Sequence, residues 1–223
     1  MKNSIYKVAL AVFAMVAMIG CRSNDVKISG RFVGLNSSVR ISGHFVGLNA
    51  KMVYLEQMSA SGQSIIDSVE LSNDGAYLFT LNEVAPTPSL YNVIYGGERI
   101  PLLVSRGEKI ELNAMGSALA NYVVSGSRES ELLRKFNKTY LEDQLELKKV
   151  VLGYHKADAA KREELVSEYN DLYRKIKRNQ ISFIIENKES IASVYALYQR
   201  LPGEHYLSSA DGDLIYYRTV SDA

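Results

Sequence analysis

The sequence changes its pattern once, near residue 126, and this change constrains the fold more than any other feature. Before it, short apolar runs alternate with polar residues and are separated by Gly, Pro and Asn, which is typical of strands joined by tight turns. After it, Gly and Pro become rare and apolar residues recur at helical spacing among Lys and Glu. We therefore predict an α+β protein, with an antiparallel β domain over residues 39–126 followed by an antiparallel helical hairpin and a short helix over residues 127–201.

The β domain is expected to contain about seven or eight short strands, the number and spacing of an antiparallel sandwich or barrel. The segment Ser72-Asn73-Asp74-Gly75 lies between two apolar runs and predicts a β-hairpin that joins residues 64–71 to residues 76–81. The other runs that predict strands are 52–57, 90–95, 99–104, 109–113 and 122–124.

Two long helices and a short one are predicted after residue 126. Ser127 suits the cap of the first helix, and the second begins near Asp158, so that the pair extends from about residue 128 to 188. A third helix over residues 191–201 is expected to end at Pro202-Gly203. Residues 202–223 carry a further apolar stripe with two open interpretations: a terminal helix docked on the hairpin, or a chain that stops before a further domain.

A tandem repeat of thirteen residues precedes the other strands. Residues 26–38 and 39–51 are identical at nine of the thirteen positions, and each copy predicts one strand that ends in a Gly/Asn turn. The second copy is contiguous with the later strands, so we expect it to supply the first strand of the core. The first copy either pairs with it as a hairpin or serves as a spacer.

Cys21 is the only cysteine and follows a typical export signal. Basic residues at the start lead into an apolar stretch over residues 8–19, which is shorter than the roughly 20 residues that a membrane span needs. Residues 18–21, Met-Ile-Gly-Cys, resemble a bacterial lipobox, although a chance cysteine after an ordinary signal is the alternative. We expect a signal peptide over residues 1–20, acyl chains such as palmitate on Cys21, and a tether through residue 38. The location is then the cell envelope, as an outer-membrane lipoprotein facing the periplasm or the surface.

The charge balance gives no reason to expect nucleic acid or an anionic membrane surface as partner. Without residues 1–20 the chain has 24 basic and 25 acidic residues, a net charge of −1. The expected contact with a membrane is therefore made by the lipid on Cys21.

The residue types of common catalytic and metal sites do not occur at the necessary spacing. His44, His155 and His205 have no spacing typical of a zinc site, and Asp211-Gly212-Asp213 lacks the remaining ligands of a calcium loop. The sequence contains no glycine-rich nucleotide motif and no Gly-x-Ser-x-Gly. We therefore expect no cofactor, no metal and no enzymatic activity.

Several short motifs follow one order along residues 39–135. They are carried by Asp67 and Ser68, Gly75 and Phe79, Tyr91, Gly107, and finally Gly126 and Ser127. The series resembles the β-rich domain of unknown function at the N-terminus of lipid-anchored thioredoxin-like proteins of Bacteroidetes, which are thiol-disulfide oxidoreductases. Asp67-Ser68-Val69 also resembles the O-glycan acceptor pattern of that bacterial group, but we interpret these motif residues as structural.

The resemblance implies an accessory domain. In that family a thioredoxin-fold domain with Cys-x-x-Cys follows the helices, and disulfide exchange needs two thiols, which Cys21 alone cannot supply. The expected function is the non-catalytic accessory region of a thioredoxin-like lipoprotein, partnered by a membrane and by a thioredoxin-fold domain or another envelope protein. The alternative is a stand-alone outer-membrane module that binds a glycan or a peptide on its β surface.

Overall fold

The computed structural model describes residues 38–47, 49–200, 207 and 212–223. The predicted signal peptide, Cys21 and the first repeat copy up to residue 37 lie outside the described residues.

The described residues form eight strands and five helices. The strands are β1 (Val39–Val46), β2 (Met52–Ser59), β3 (Gly62–Glu70), β4 (Ala76–Leu81), β5 (Ser89–Tyr95), β6 (Glu98–Val104), β7 (Lys109–Met115) and β8 (Tyr122–Ser125). The helices are α1 (Ala118–Asn121), α2 (Arg128–Tyr154), α3 (Ala159–Glu186), α4 (Ile191–Leu197) and α5 (Leu214–Ser221).

The strands form a sandwich of two four-stranded sheets, in the orders β4-β1-β7-β8 and β3-β2-β5-β6. Neighbouring strands are antiparallel except β1 and β7, which run parallel. Both sheets contribute to one apolar core, which includes Ile41, Phe79, Leu112, Val53, Val93 and Leu102. The predicted α+β class, with an antiparallel-dominated β region followed by helices, is therefore confirmed.

The predicted hairpin between residues 64–71 and 76–81 is wrong. The turn itself forms, because Gly75 donates its N–H to the Ser72 carbonyl at 2.9 Å. However, β3 pairs with β2 and β4 pairs with β1, so the turn carries the chain from one sheet to the other. A turn motif fixes a local reversal of the chain, whereas the pairing of the two strands depends on the rest of the core.

The second repeat copy supplies the first core strand, as predicted, since residues 39–46 form β1. Hydrogen-bonded strands flank β1 on both sides, β4 antiparallel and β7 parallel. The first copy, and with it the choice between a hairpin and a spacer, lies outside the described residues.

The helices pack on the sandwich through a second apolar cluster. Leu103 of β6 meets Leu133 and Phe136 of α2, Phe183 of α3, and α4 in this cluster. The predicted cap is confirmed, since Ser127 accepts a hydrogen bond from the Ser130 N–H. The second long helix begins next to Asp158, as predicted, and the Asp158 side chain accepts from the Lys161 N–H. These short polar side chains satisfy backbone donors that a helix leaves free in its first turn.

Helix α4 ends at Leu197, earlier than the predicted residue 201. The Gln180 Nε2 donates to the carbonyls of Ala196 and Gln199, and the Tyr140 hydroxyl donates to the carbonyl of Arg200. These side chains from α2 and α3 bind carbonyls at and beyond the end of α4, so the helix stops without its expected last turn.

Helix α5 docks on the helical layer. Tyr216, Tyr217 and Val220 pack against the second cluster, and Lys177 of α3 pairs with Asp213 at 2.8 Å. No helix within the described ranges is both long and apolar enough to cross a membrane.

Candidate functional site

The motif residues of the sequence do not meet in one place. Phe79 and Tyr91 are buried in the core, Gly75, Gly107 and Gly126 lie in turns, and Ser127 caps α2. Asp67 and Ser68 lie on the exposed strand β3, where the Asp67 carboxylate accepts a hydrogen bond from the Ser68 N–H at 2.7 Å. This scattering fits a structural role for the motif rather than a shared binding site.

Two motif glycines are required by the backbone. A Cβ atom at Gly75 would lie 2.4 Å from the Phe45 carbonyl oxygen, and one at Gly126 would lie 2.0 Å from the Lys109 carbonyl oxygen. Both residues also have positive φ angles, +84° and +83°, which other L-amino acids rarely adopt. The motif therefore marks turns that hold neighbouring strands in close contact.

Ser127 and Ser130 join the sandwich to the helical layer. Both hydroxyls donate to the Leu103 carbonyl, at 3.1 and 2.8 Å, and the Ser130 Oγ accepts from the Leu103 N–H at 3.1 Å. Ser130 and Leu103 were not singled out from the sequence, although Ser130 follows the predicted cap closely. This buried joint fixes the start of α2 against β6.

The most accessible feature of the sandwich is β3, which we call the β3 edge (residues 62–70). It lies at the end of its sheet, and no described strand pairs with its outer side. Eight of its nine residues are exposed, among them Ile65 at 59% and Ile66 at 42%. The β3 edge carries neither Lys nor Pro, and the feature that disturbs its pairing is a β-bulge, since its register with β2 shifts between Ile65 and Asp67.

The sequence contains a signal for this edge. In a regular strand, adjacent Ile65 and Ile66 would point to opposite faces, so one of them would have no core to face unless the strand were buried on both sides. Short polar residues surround them, which argues against a strand buried on both sides. The pattern therefore indicates an exposed apolar pair.

A second candidate is the interhelical cleft between α2 and α3, which has a volume of about 200 Å³. Its apolar lining is Phe136, Tyr140, Ile176 and Phe183, and its polar lining includes Asp143, Asn179 and Gln180. The Oε1 of Gln180 has no hydrogen-bond partner among the described residues, and its side chain is buried.

The charges of the cleft are compensated within the helices. Asp143, only 4% exposed, accepts from the Asn179 Nδ2 at 3.0 Å and lies 3.2 Å from the Lys175 Nζ. Hydrogen bonds to Glu146 and Asp143 raise the pKa of Lys175. The buried carboxylate therefore helps to fix α3 against α2.

A further buried polar group braces β8 against α2. The Arg134 guanidinium lies 4.4 Å from the centre of the Tyr122 ring, and its Nε donates to the Tyr122 carbonyl at 2.7 Å. Burial raises the pKa of the nearby Tyr195 to about 12, so its hydroxyl stays protonated at neutral pH. The arrangement is a structural support.

On the outer face of the second sheet, Glu56 lies opposite Asn92. The Asn92 Nδ2 donates to the Glu56 Oε2 at 2.8 Å, and the Arg99 Nε lies 3.2 Å from the same oxygen. Burial favours the neutral acid, yet the hydrogen bonds from Asn92 and Arg99 together lower the pKa of Glu56. Glu56 is thus a fixed carboxylate in the folded protein.

A pocket of about 340 Å³ lies at one end of the sandwich. Its rim carries polar residues such as Glu70, Ser72 and Asp74, and its lining includes Phe45 and Tyr95. Both rings are only 2% exposed and stack on each other with centroids 4.7 Å apart. Because these ring faces are not available to a sugar, the pocket gives little support for glycan binding.

Among the described residues, His44 and His155 belong to no candidate metal centre. Within the described ranges, no group of three or more His, Cys, Asp or Glu side chains could hold a metal ion. The His44 Nε2 lies 3.9 Å from Asp74 and His155 follows the end of α2, whereas His205 lies outside the described residues.

Residues 39–133 match the model of a domain of unknown function, DUF4369. The match extends from the start of β1 into the first turns of α2 and therefore includes the whole sandwich and its serine joint. No curated protein matches the chain. The sandwich is thus similar to a domain of unknown function, and this similarity assigns no chemistry to it.

Proposed function

We propose that the protein is a lipid-anchored envelope protein, with Cys21 as the lipidated residue and residues 39–201 as a non-catalytic accessory region. The order of features carries this proposal: an export signal that ends in Gly20-Cys21 is followed by a DUF4369 sandwich and a helical hairpin. This order resembles that of the thioredoxin-like lipoproteins of Bacteroidetes. The accessory region would position a thioredoxin-fold domain, or another envelope protein, near the membrane.

The geometry supports a scaffold role in preference to catalysis. The Glu56 carboxylate, whose pKa is lowered, and the buried carboxylate of Asp143 are held by neighbouring side chains. The buried hydroxyls of Ser127 and Ser130 both bond to one backbone carbonyl. These polar groups stabilise contacts between strands and helices, which is what a rigid spacer requires.

Lipidation is tested by growing a producing strain with an alkyne-labelled fatty acid and fractionating the cells. We expect wild-type protein to carry the label and to stay with membranes after a high-salt wash. Cys21→Ser should lose the label and enter the soluble fraction, whereas the neighbouring Ser23→Ala should behave as wild type. A Cys21→Ser protein that remained in washed membranes would show that the anchor lies elsewhere.

The absence of disulfide chemistry has its own test. Residues 22–223 contain no cysteine, so the purified soluble chain should reduce insulin no faster than buffer does. Activity that persisted through repeated purification would contradict the accessory role.

A second candidate function is peptide binding at the β3 edge, and the exposure of this edge favours it. An extended peptide can add to a free sheet edge through main-chain hydrogen bonds, with side-chain pockets or apolar contacts giving selectivity. Ile65 and Ile66 would supply apolar contacts, and the nearby Asp67 and Glu70 favour a peptide that carries a basic residue.

The probe for this function is a fluorescein-labelled, alternating Val/Thr peptide with one lysine. We expect saturable binding to the wild-type protein and no binding to Ile65→Lys/Ile66→Lys, because lysines on an edge oppose further pairing. Leu78→Lys is the matched control, since Leu78 is 43% exposed on β4 of the other sheet. Equal binding by all three proteins would exclude the β3 edge as the site.

A further inference from the structure

Strand β1 lies in a slot between β4 and β7. Only some positions of β1 face the core, so the slot restricts the residue type at those positions alone. Val39, Ile41 and Phe45 face the core and are at most 2% exposed, whereas Arg40 and His44 lie on the outer face and are exposed. The slot therefore requires the pattern Val-x-Ile-x-Gly-x-Phe, with Gly43 at its centre.

The glycine in this pattern is a strict requirement. A Cβ atom at Gly43 would lie 1.9 Å from the Leu112 carbonyl oxygen of β7, which is a collision with backbone. A strand with any other residue at this position cannot enter the slot without moving β7.

The first repeat copy meets every requirement of the slot. Its residues Val26, Ile28, Gly30 and Phe32 are identical to the four inward positions of β1. Within the strand the copies differ only where Lys27 and Arg31 replace Arg40 and His44, and both of those positions are exposed in β1.

The bonds that hold the C-terminal end of β1 are also available to either copy. The Phe45 N–H donates to the Gly75 carbonyl at 2.9 Å, and the Val46 carbonyl accepts from the Gly116 N–H at 2.9 Å. These are main-chain bonds, so they do not depend on the side chains in which the copies differ.

We propose that the slot between β4 and β7 is a strand-binding site with two alternative occupants in the same chain, residues 39–46 and residues 26–33. Whichever copy is seated, the other copy is excluded from the sheet, because β4 and β7 take both edges of the seated strand. The β domain therefore exists in two states with the same core.

The two states differ little in free energy. With residues 39–46 seated, the connection to β2 is residues 47–51; with residues 26–33 seated, it is residues 34–51. Loop closure then favours the second copy by about sevenfold, because its cost rises with the logarithm of loop length. Charge favours the first copy instead. Arg31 would place a permanent cation where the His44 Nε2 lies 3.9 Å from Asp74.

The exchange changes the length of the tether, a consequence that rests on the proposed lipidation of Cys21. Residues 22–38 separate Cys21 from the sandwich in one state and residues 22–25 in the other. Fully extended, these segments reach about 60 Å and about 14 Å. One state lets the sandwich stand away from the membrane, and the other holds it at the surface.

Disulfide trapping tests the exchange in the mature chain with Cys21→Ser, which has no native thiol. Ser42 aligns with Leu78 of β4, and the equivalent residue of the first copy is Ser29. We expect Ser42→Cys/Leu78→Cys to oxidise fast and Ser29→Cys/Leu78→Cys to oxidise within the monomer more slowly, by about the sevenfold population difference. The control, Ser29→Cys/Val123→Cys, should stay reduced, since Val123 lies on β8 and does not pair with β1.

The proposal is overturned if Ser29→Cys/Leu78→Cys stays as reduced as the control while Ser42→Cys/Leu78→Cys oxidises. Disulfide-linked dimers in place of cross-linked monomers would also overturn it, since they would place the first copy in another molecule.

Substitution in the core positions gives a second, independent measurement. We expect Phe32→Asp to unfold as wild type and Phe45→Asp to keep a cooperative transition at a lower denaturant midpoint, because the first copy replaces the damaged strand. Phe32→Asp/Phe45→Asp should lose the transition. A Phe45→Asp protein as unfolded as the double variant would contradict the exchange. Both experiments use unlipidated protein, so their outcome is separate from that of the lipidation test.

Discussion

The sandwich and the helical hairpin are stabilised in different ways. The sandwich has one cluster of twenty buried apolar residues that draws on both sheets. The part of the hairpin around Leu147 and Ile176 has only those two buried apolar residues in its cluster, and the buried Asp143 and its partners lie between the same helices. Apolar burial thus holds the β region, whereas specific polar contacts hold much of the hairpin.

This difference has a consequence for local stability. Apolar burial is non-directional and scales with area, so a large core opens only with global unfolding. A polar contact between two helices depends on a few partners, and its loss opens one region. We therefore expect the hairpin to open locally while the sandwich stays closed.

The largest expected effect is that of Phe79→Ala in the sandwich. Phe79 is fully buried, and truncation of a buried Phe costs about 3–5 kcal/mol of the free energy of unfolding through lost burial and the cavity left behind. Denaturant unfolding followed by circular dichroism measures this loss. The neighbouring Leu78→Ala, on an exposed side chain, should change stability by only about 0.5 kcal/mol. Equal midpoints for the two variants would show that the apolar core is not the main source of stability.

The next effect is expected from Asp143→Ala in the hairpin. It removes the hydrogen bond between the buried Asp143 carboxylate and the half-buried Asn179 amide, which costs about 1–3 kcal/mol. Hydrogen exchange should accelerate in α2 and α3 and stay unchanged in the sandwich. The control is Asp171→Ala, which removes an exposed ion pair with Arg174 and should change hydrogen exchange little. Faster exchange throughout the sandwich in Asp143→Ala would show that the two regions open together.

A smaller effect is expected at the joint between the two regions. Ser127→Ala removes the cap of α2 and one bond to Leu103, at a cost of about 1 kcal/mol. Ser167→Ala, at an exposed position of α3, is the control. Thermal melts of both variants test the joint, and a Ser127→Ala melt like that of Ser167→Ala would mean that Ser130 holds it alone.

The smallest effect is a pH dependence at Glu56. Its pKa in the folded protein lies below the ordinary value of 4.5. Its contribution to the free energy of unfolding is therefore present above about pH 4.5 and is lost as the pH falls through the lowered pKa. The difference in melting temperature between wild type and Glu56→Gln should therefore be constant near neutral pH and shrink below about pH 4. A difference that grew on acidification would mean that the folded protein raises this pKa.

The two regions also differ in what the sequence predicts. Strand positions, the cap at Ser127 and the helix start near Asp158 follow from residues close together in the chain, and the structure confirms them. The pairing of β3 with β2 depends on distant partners, so the local turn at Gly75 predicted the wrong hairpin. The end of α4 was missed for the same reason, because Gln180 of another helix binds its carbonyls.

The candidate sites also differ in whether they can be predicted from residues close together in the chain. The exposed pair on the β3 edge can be found from the adjacency of Ile65 and Ile66, because a strand cannot bury both against one core. The interhelical cleft cannot be found this way, since Asp143 and Asn179 come together only when α2 and α3 pack. Cys21 lies outside the described residues, and its lipidation stays a prediction.

The position of β1 in the middle of its sheet has a consequence for the order of folding. The His44 N–H bonds to the Asn113 side chain, 69 residues further along the chain. Contacts of such long range give the domain a high contact order, which slows folding because a large loop must close before any of them forms. A chain made from its N-terminus exposes β1 first and β7 much later. The sandwich therefore lacks the strands that it needs to close until most of the β domain has been made.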